Sequence, residues 1–178
     1  MADFTLLDDS TNPLKRSKKE EKLKKKVSEF LVYVVAAQKL GFSKVTIIDR
    51  STYTPVGYTA TTDIATAWMD GETQVNENQE LLEWGQKDGK PKTTFCFYGK
   101  RFNILQRLED GKAIVCLKGK DIFIGYQFKA VWFLAYGEVA SRSVDKSNQE
   151  QAAGFKSAPD AFSSIMKNVF ESLDEAGL

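Results

Sequence analysis

Five short β-rich runs between residues 93 and 136 constrain the fold more than any other feature of the sequence. Only one to four residues separate one run from the next, and Gly99, Asp110–Gly111 and Lys118-Gly119-Lys120 supply the turn residues. Connections this short join antiparallel neighbours, because a parallel crossover needs a dozen residues or more. The sequence therefore predicts an antiparallel meander over 93–98, 100–108, 113–117, 121–128 and 130–136.

Helical patterns flank this meander on both sides. From about Lys18 to Leu40, apolar residues recur at three- and four-residue spacing, and Gly41 follows as a natural stop. After the meander, Ser157 and Asp160 form a capping-box-like pair before a second amphipathic helix that reaches the last residues. We expect these two long helices to cover one face of the sheet.

The segment between the first helix and the meander contains two more strand patterns and two short helical ones. The strand patterns cover 44–49 and 58–62 and are separated by a turn at 53–57, and the helical patterns cover 63–69 and 76–84. The predicted fold class is therefore α+β. A central antiparallel sheet of about 6–7 strands would carry the terminal helices on one face and the two short helices on the other.

Composition excludes several functional classes. No stretch approaches 18 apolar residues, so no membrane span is predicted, and the N-terminus lacks the pattern of a secretory signal. Histidine is absent, which removes the commonest general base and the usual zinc ligand. We therefore predict no enzymatic activity, cofactor or metal. Cys96 and Cys116 are expected to be buried thiols, and a disulfide between neighbouring strands is the alternative.

The net charge of +1 hides a basic segment near the N-terminus. Residues 15–26 contain eight basic and two acidic residues, a charge of +6, so the rest of the chain carries −5. We predict a flexible basic extension over 1–20 and one domain over 21–178. The lysines could bind anionic lipid or nucleic acid, or simply keep a helix soluble. The candidate lipid-binding residues are Lys18, Lys19, Lys22, Lys24, Lys25 and Lys26.

Four stretches resemble a known family in sequence, order and spacing. The run 99–106 opens with a Gly-Lys-Arg pattern, 113–120 ends in Lys118-Gly119-Lys120, 129–138 is an apolar strand, and 171–178 ends in Gly177-Leu178. These stretches, and the order of the predicted elements, resemble the profilins over residues 95–138 and 160–178. The lysine-rich extension is similar to those of profilins from Asgard archaea, which accompany archaeal actin homologues.

The resemblance implies a monomeric, cytoplasmic protein of the cytoskeleton that binds monomeric actin or an actin homologue. It also implies binding of proline-rich proteins between the terminal helices and of phosphoinositides through basic patches, and it implies no nucleic-acid partner. The matching actin-binding positions are Arg101, Asn103 and Leu105 on one strand, Lys118 and Lys120 in the next hairpin, and Ser163, Ser164, Lys167 and Asn168 on the last helix.

The resemblance also places a polyproline-binding groove, which needs flat aromatic rings and hydrogen-bond donors. Serine and leucine stand where the last helix of the family usually has histidine and tyrosine, so weakened binding is expected. The matching positions are Phe30 and Tyr33 on the first helix, Tyr58 on the second strand, and Ser172 and Leu178 at the end of the last helix.

Two other functions are compatible with the same layout. A sensor or adaptor domain could bind a peptide, a small molecule or an anionic lipid without actin, and a small-molecule sensor would enclose an apolar pocket within its sheet. An adaptor that uses the basic extension on lipid or nucleic acid would lose binding when residues 1–26 are deleted.

Overall fold

A computed structural model describes residues 29–59, 67–84, 92–140 and 154–178 of the chain. The basic extension, the predicted boundary at residue 20 and the six candidate lipid-binding lysines lie outside these ranges. The helices are α1 (29–40), α2 (Glu77–Trp84) and α3, which runs through Ala158–Ile165, Met166–Phe170 and Glu171–Glu175. The strands are β1 (Lys44–Asp49), β2 (Pro55–Tyr58), β3 (Trp68–Asp70), β4 (Thr73–Val75), β5 (Thr94–Phe97), β6 (Lys100–Leu108), β7 (Ala113–Lys118), β8 (Asp121–Gln127) and β9 (Val131–Glu138).

Seven strands form one antiparallel sheet in the order β2-β1-β9-β8-β7-β6-β5. The predicted meander is confirmed as β5 to β9, with strand ends within two residues of the predicted ones. The two N-terminal strands extend the sheet beyond β9, the last strand of the meander. There β1 pairs with β9 and places Ile47 opposite Phe133. The pairing of β1 with β9 brings the two ends of the domain together.

The terminal helices cover one face of the sheet, as predicted. Phe30 and Val34 of α1 and Ile165 of α3 are buried in one cluster with apolar residues of β1, β2, β7, β8 and β9. Phe170 packs its ring against Tyr126, Phe128 and Phe133, at centroid distances of 5.0, 5.7 and 5.1 Å. Burial of such rings on both helices fixes α1 and α3 to the sheet.

The middle of α3 is a π-helical turn over Met166–Phe170. Ser157 caps the start of α3 by accepting a hydrogen bond from the backbone N–H of Asp160, and this confirms the predicted capping pair. The wider turn allows the adjacent residues Val169 and Phe170 to be buried together. After this turn, the buried positions of α3 are shifted by one residue relative to a regular α-helix.

The opposite face is filled with aromatic side chains and covered by α2. Phe123 lies between Phe95, Phe97 and Phe102, with ring centroids 5.3, 5.9 and 5.2 Å away. Leu81 of α2 is fully buried in the same cluster, so the predicted helix at 76–84 is confirmed. The aromatic rings fill the space in which a small-molecule sensor would need its pocket.

Two sequence predictions before α2 are wrong. The short helix predicted over 63–69 lies partly outside the described residues, but Trp68 and Met69 belong to β3, which forms a hairpin with β4 through Gly71 at φ 63°. The predicted turn at 53–57 is a strand from Pro55 onward, because the chain reverses earlier. The strand predicted over 58–62 is therefore displaced, since β2 ends at Tyr58 and Thr59 is not part of a strand, while 60–62 lie outside the described residues. The Asp49 carboxylate accepts hydrogen bonds from Ser51 and holds that earlier turn.

Both cysteines are buried and free, which confirms the prediction of thiols. Cys96 lies on β5 and Cys116 on β7, and β6 runs between these strands. Two strand spacings of about 4.8 Å each exceed the reach of a disulfide. Burial raises the pKa of the Cys96 thiol to about 12 and raises that of Cys116 as well.

Within the described residues, no helix is long and apolar enough to cross a membrane.

We predict that Phe123→Ala lowers the free energy of unfolding by about 3–5 kcal/mol, since it leaves a cavity among four aromatic rings. Urea denaturation measures this loss. Leu31→Ala, at a side chain that is 50% exposed, is the control and should change stability by about 0.5 kcal/mol or less. Equal effects of the two variants would contradict the assignment of Phe123 to the core.

Candidate binding surface

Strand β6 presents a row of side chains to one side while it buries the alternate residues. Phe102 is fully buried and Ile104 packs against the aromatic cluster, whereas Asn103 and Leu105 are exposed, the latter by 55%. Leu105 is the extra residue of a β-bulge against β7, since the pairing shifts between Ile104 and Gln106. Bulges of this kind redirect side chains at sheet surfaces.

Arg101 begins this row and is held by two neighbours. Its Nε donates to Asp70 Oδ2 of β3 at 2.5 Å, and its Nη1 donates to Thr94 Oγ1 of β5 at 3.2 Å. The hydrogen bond to Asp70 raises the pKa of the guanidinium. The charge of Arg101 is therefore compensated within the protein.

The hairpin between β7 and β8 carries two exposed lysines. Lys118 and Lys120 lie on either side of Gly119, which adopts the left-handed conformation at φ 60°. Within the described part of the chain, neither ammonium group forms a salt bridge, although the charge of Lys118 helps to lower the pKa of Asp121, its cross-strand neighbour. This hairpin therefore places exposed positive charge on the candidate surface.

Helix α3 packs against β7 and contributes a polar outer face. Ser163, Lys167 and Asn168 are exposed and Ser164 is half-buried. The Asn168 side-chain amide donates to the backbone carbonyl of Ser164 at 2.7 Å, so it is oriented within the helix. The nine residues that the resemblance implied for actin binding therefore lie on three adjacent elements: β6, the β7–β8 hairpin and α3.

A network at the base of the β7–β8 hairpin was not anticipated from the sequence. Lys100 Nζ donates to Asp121 Oδ2 at 2.8 Å and to the Tyr136 hydroxyl at 3.1 Å, and that hydroxyl donates to Asp121 Oδ1 at 2.7 Å. Partial burial raises the pKa of Asp121, but the hydrogen bonds from Lys100 and Tyr136 outweigh it and hold the pKa below its ordinary value. The three residues lie on β6, β8 and β9, so the pairing of the whole sheet brings them together and no local motif signals the network.

The residues implied for a polyproline groove are only partly available at the surface. Phe30 is 2% exposed and belongs to the core, so its ring cannot contact a ligand, whereas Tyr58 is 53% exposed on β2. Tyr33 and Leu178 are half-buried against the core, and Ser172 is exposed. The backbone carbonyl of Leu178 accepts a hydrogen bond from Ala130 at 2.8 Å, which ties the C-terminus to the sheet.

A second exposed surface lies on α1. The outward side chains are apolar, with Leu31, Val32 and Val35 exposed by 50%, 67% and 38%. Strand β2 lies directly beneath this helix, because a Cβ at Gly57 would meet Phe30 at 3.1 Å and Val34 at 3.2 Å.

The described residues include no group of three or more Asp, Glu or Cys side chains arranged to hold a metal ion.

The seven-stranded antiparallel sheet, with the terminal helices on one face and a central helix on the other, is the profilin fold. The chain is similar to the profilin of Schizosaccharomyces pombe, with a TM-score of 0.53, 15% identity and coverage of 84% of this chain and 99% of that one. It is also similar to profilin IA of Acanthamoeba castellanii, with a TM-score of 0.55, 11% identity and coverage of 83% and 98%. No family profile and no curated protein sequence matches the chain. The recognised resemblance is thereby confirmed at the level of the fold.

We predict that Asp121→Asn destabilises the protein by about 1 kcal/mol or less at pH 7, since the Lys100–Asp121 pair is partly exposed. The lowered pKa means that the carboxylate stabilises the fold above its unfolded pKa of about 3.9 and loses this effect as the pH falls below it. The difference between wild type and variant should therefore shrink below about pH 4.

Urea denaturation at pH 7 and pH 3 measures this difference. Asp110→Asn is the matched control, because Asp110 is exposed in a left-handed turn that asparagine tolerates. A difference for Asp121→Asn that stays constant across this pH range would contradict the role given to the ion pair.

Proposed function

We propose that this protein binds monomeric actin, or an actin homologue, through β6, the β7–β8 hairpin and the outer face of α3. The observation that carries the proposal is the alternation of β6 within a profilin fold. This strand buries Phe102 and exposes Asn103 and Leu105, at the positions that the resemblance implies for actin binding. The three elements together present polar and apolar side chains on a rigid surface. Stable protein complexes form on surfaces of this kind.

The charges of this surface favour a partner with an acidic region. Lys118 and Lys120 are exposed and form no salt bridge among the described residues, and Lys167 is exposed on α3. Such charges raise the association rate with an acidic partner and fix its orientation. The protein would cover one end of an actin monomer, prevent nucleation and deliver the monomer to growing filament ends. Its place of action would be the cytoplasm, at the cytoskeleton.

A weaker function is proposed for the α1 surface. Exposed Leu31, Val32 and Val35 and the exposed ring of Tyr58 support binding of proline-rich segments there. Few aromatic rings are available to such a ligand, because Phe30 is buried, and few hydrogen-bond donors are available, because Ser172 and Leu178 stand where the family usually has histidine and tyrosine. We expect affinity for a polyproline peptide to be low.

The lysines at 18–26 are proposed to bind anionic phospholipids, with phosphoinositides as the ligands to test first.

We predict that the double variant Lys118→Glu/Lys120→Glu weakens binding to monomeric actin at least tenfold, about 1.4 kcal/mol. The physical reason is the replacement of two exposed positive charges by negative ones. Fluorescence titration against a eukaryotic actin and an archaeal actin homologue, each held monomeric, measures the effect. The control Lys39→Glu/Lys129→Glu makes the same change of net charge at exposed residues elsewhere.

Equal weakening by both double variants would show a non-specific charge effect and contradict the assignment of the surface. No binding of the wild-type protein to either actin would refute the proposed function and leave the fold unaffected.

A further inference from the structure

The β3–β4 hairpin, residues 68–75, is fixed to the strand that carries the candidate actin-binding row. The Trp68 indole N–H donates to Glu77 Oε2 at 2.8 Å, and the backbone N–H of Gly99 donates to the same oxygen at 2.9 Å. Asp70 then forms the ion pair with Arg101 of β6. Since Glu77 is fully buried, these contacts anchor the hairpin from within the fold.

Strand alternation decides which side chains of the hairpin face outward. Trp68 and Asp70 point toward the domain, because both bond to its residues, so Met69 between them points away. Met69 is 60% exposed, and its cross-strand neighbour Gln74 is exposed as well. The hairpin therefore presents an uncharged outer pair with a large flexible apolar side chain, of the kind used at adaptable binding surfaces.

The hairpin meets the β6 row at the ion pair between Asp70 and Arg101. Arg101 reaches from β6 to Asp70 and also to Thr94, which pairs with Asn103. The surface thus runs from Met69 across the neutralised ion pair and Asn103 to Leu105. Its two ends are exposed apolar side chains, and its centre carries no net charge.

We infer that the β3–β4 hairpin is part of the partner-binding surface, with Met69 as a contact residue and Arg101 as the positioning residue that holds the hairpin in place. This inference rests on the proposed function, and the occupant is the same actin monomer. The nine residues implied by the resemblance are fewer than the roughly 20–30 a side of a standard interface. The hairpin is bonded directly to the first of them, so it extends the surface without a gap.

The chemistry of the two regions defines what the partner presents. Opposite Met69 and Leu105 the partner carries apolar groups, because a charge placed there would be desolvated without compensation. Opposite Lys118 and Lys120 it carries carboxylates. The partner must therefore present apolar groups and carboxylates on one rigid surface. These groups are well separated, because the row from Arg101 to Leu105 alone spans about 13 Å.

The first test compares three variants that place a glutamate at an exposed apolar position: Met69→Glu, Leu105→Glu and Leu82→Glu. Leu82 is 42% exposed on α2 and is the matched control. Affinity for monomeric actin is measured by fluorescence titration, and urea denaturation verifies that each variant is folded. We expect at least a tenfold loss for Met69→Glu and Leu105→Glu, and less than a twofold change for Leu82→Glu.

The outcomes separate this inference from the proposed function. Loss with Leu105→Glu but not with Met69→Glu overturns the role of the hairpin and leaves the proposed function standing. Absence of binding by the wild-type protein overturns both. Equal loss with all three variants also overturns the role of the hairpin, because it would mark a general response to added negative charge.

A charge exchange tests the role of Arg101. Arg101→Asp alone places two carboxylates together, displaces the hairpin and should weaken actin binding at least tenfold. The double variant Asp70→Arg/Arg101→Asp restores an ion pair with reversed polarity, and binding should return to within threefold of wild type. If affinity stays low although the double variant is as stable as wild type, Arg101 contacts the partner directly and is not a positioning residue.

Discussion

The pairing of β1 with β9 is the contact on which the rest of this structure depends. It joins a strand that directly follows α1 to the last strand before α3, and six residue pairs align from Lys44 with Tyr136 to Asp49 with Val131. Because of this pairing, both terminal helices lie over the same face and bury Phe30 and Phe170 in one cluster. The other strands extend from β9 toward β6, so the candidate surface lies on the side away from α1.

The separation of the two surfaces has a physical consequence. Residues of α1 and β2 form an apolar exposed region, whereas β6, the β7–β8 hairpin and α3 form a polar region with exposed lysines. The aromatic cluster around Phe123 fills the sheet on the side of α2 and supports β6 from beneath. A rigid support of this kind keeps the exposed row in one geometry, which lowers the entropy lost on binding. The two proposed partners would therefore contact separate surfaces.

Much of the fold could be predicted from the sequence, because its turns, caps and helix ends are determined by residues that are close together in the chain. The meander, the cap at Ser157 and the stop at Gly41 each depend on a few neighbouring residues. The β3–β4 hairpin could not be predicted, because its position depends on the distant partners Glu77 and Arg101. Likewise, a resemblance could suggest Arg101 for binding, but only the structure shows that Asp70 already compensates its charge.

Hydrogen–deuterium exchange of the protein, alone and with excess monomeric actin, tests the central claim most directly. The account predicts slower exchange in β6, the β7–β8 hairpin and the part of α3 from Ser163 to Asn168, with unchanged exchange in β2 and α1. Protection confined to α1 and β2, or no protection at saturating actin, would contradict it.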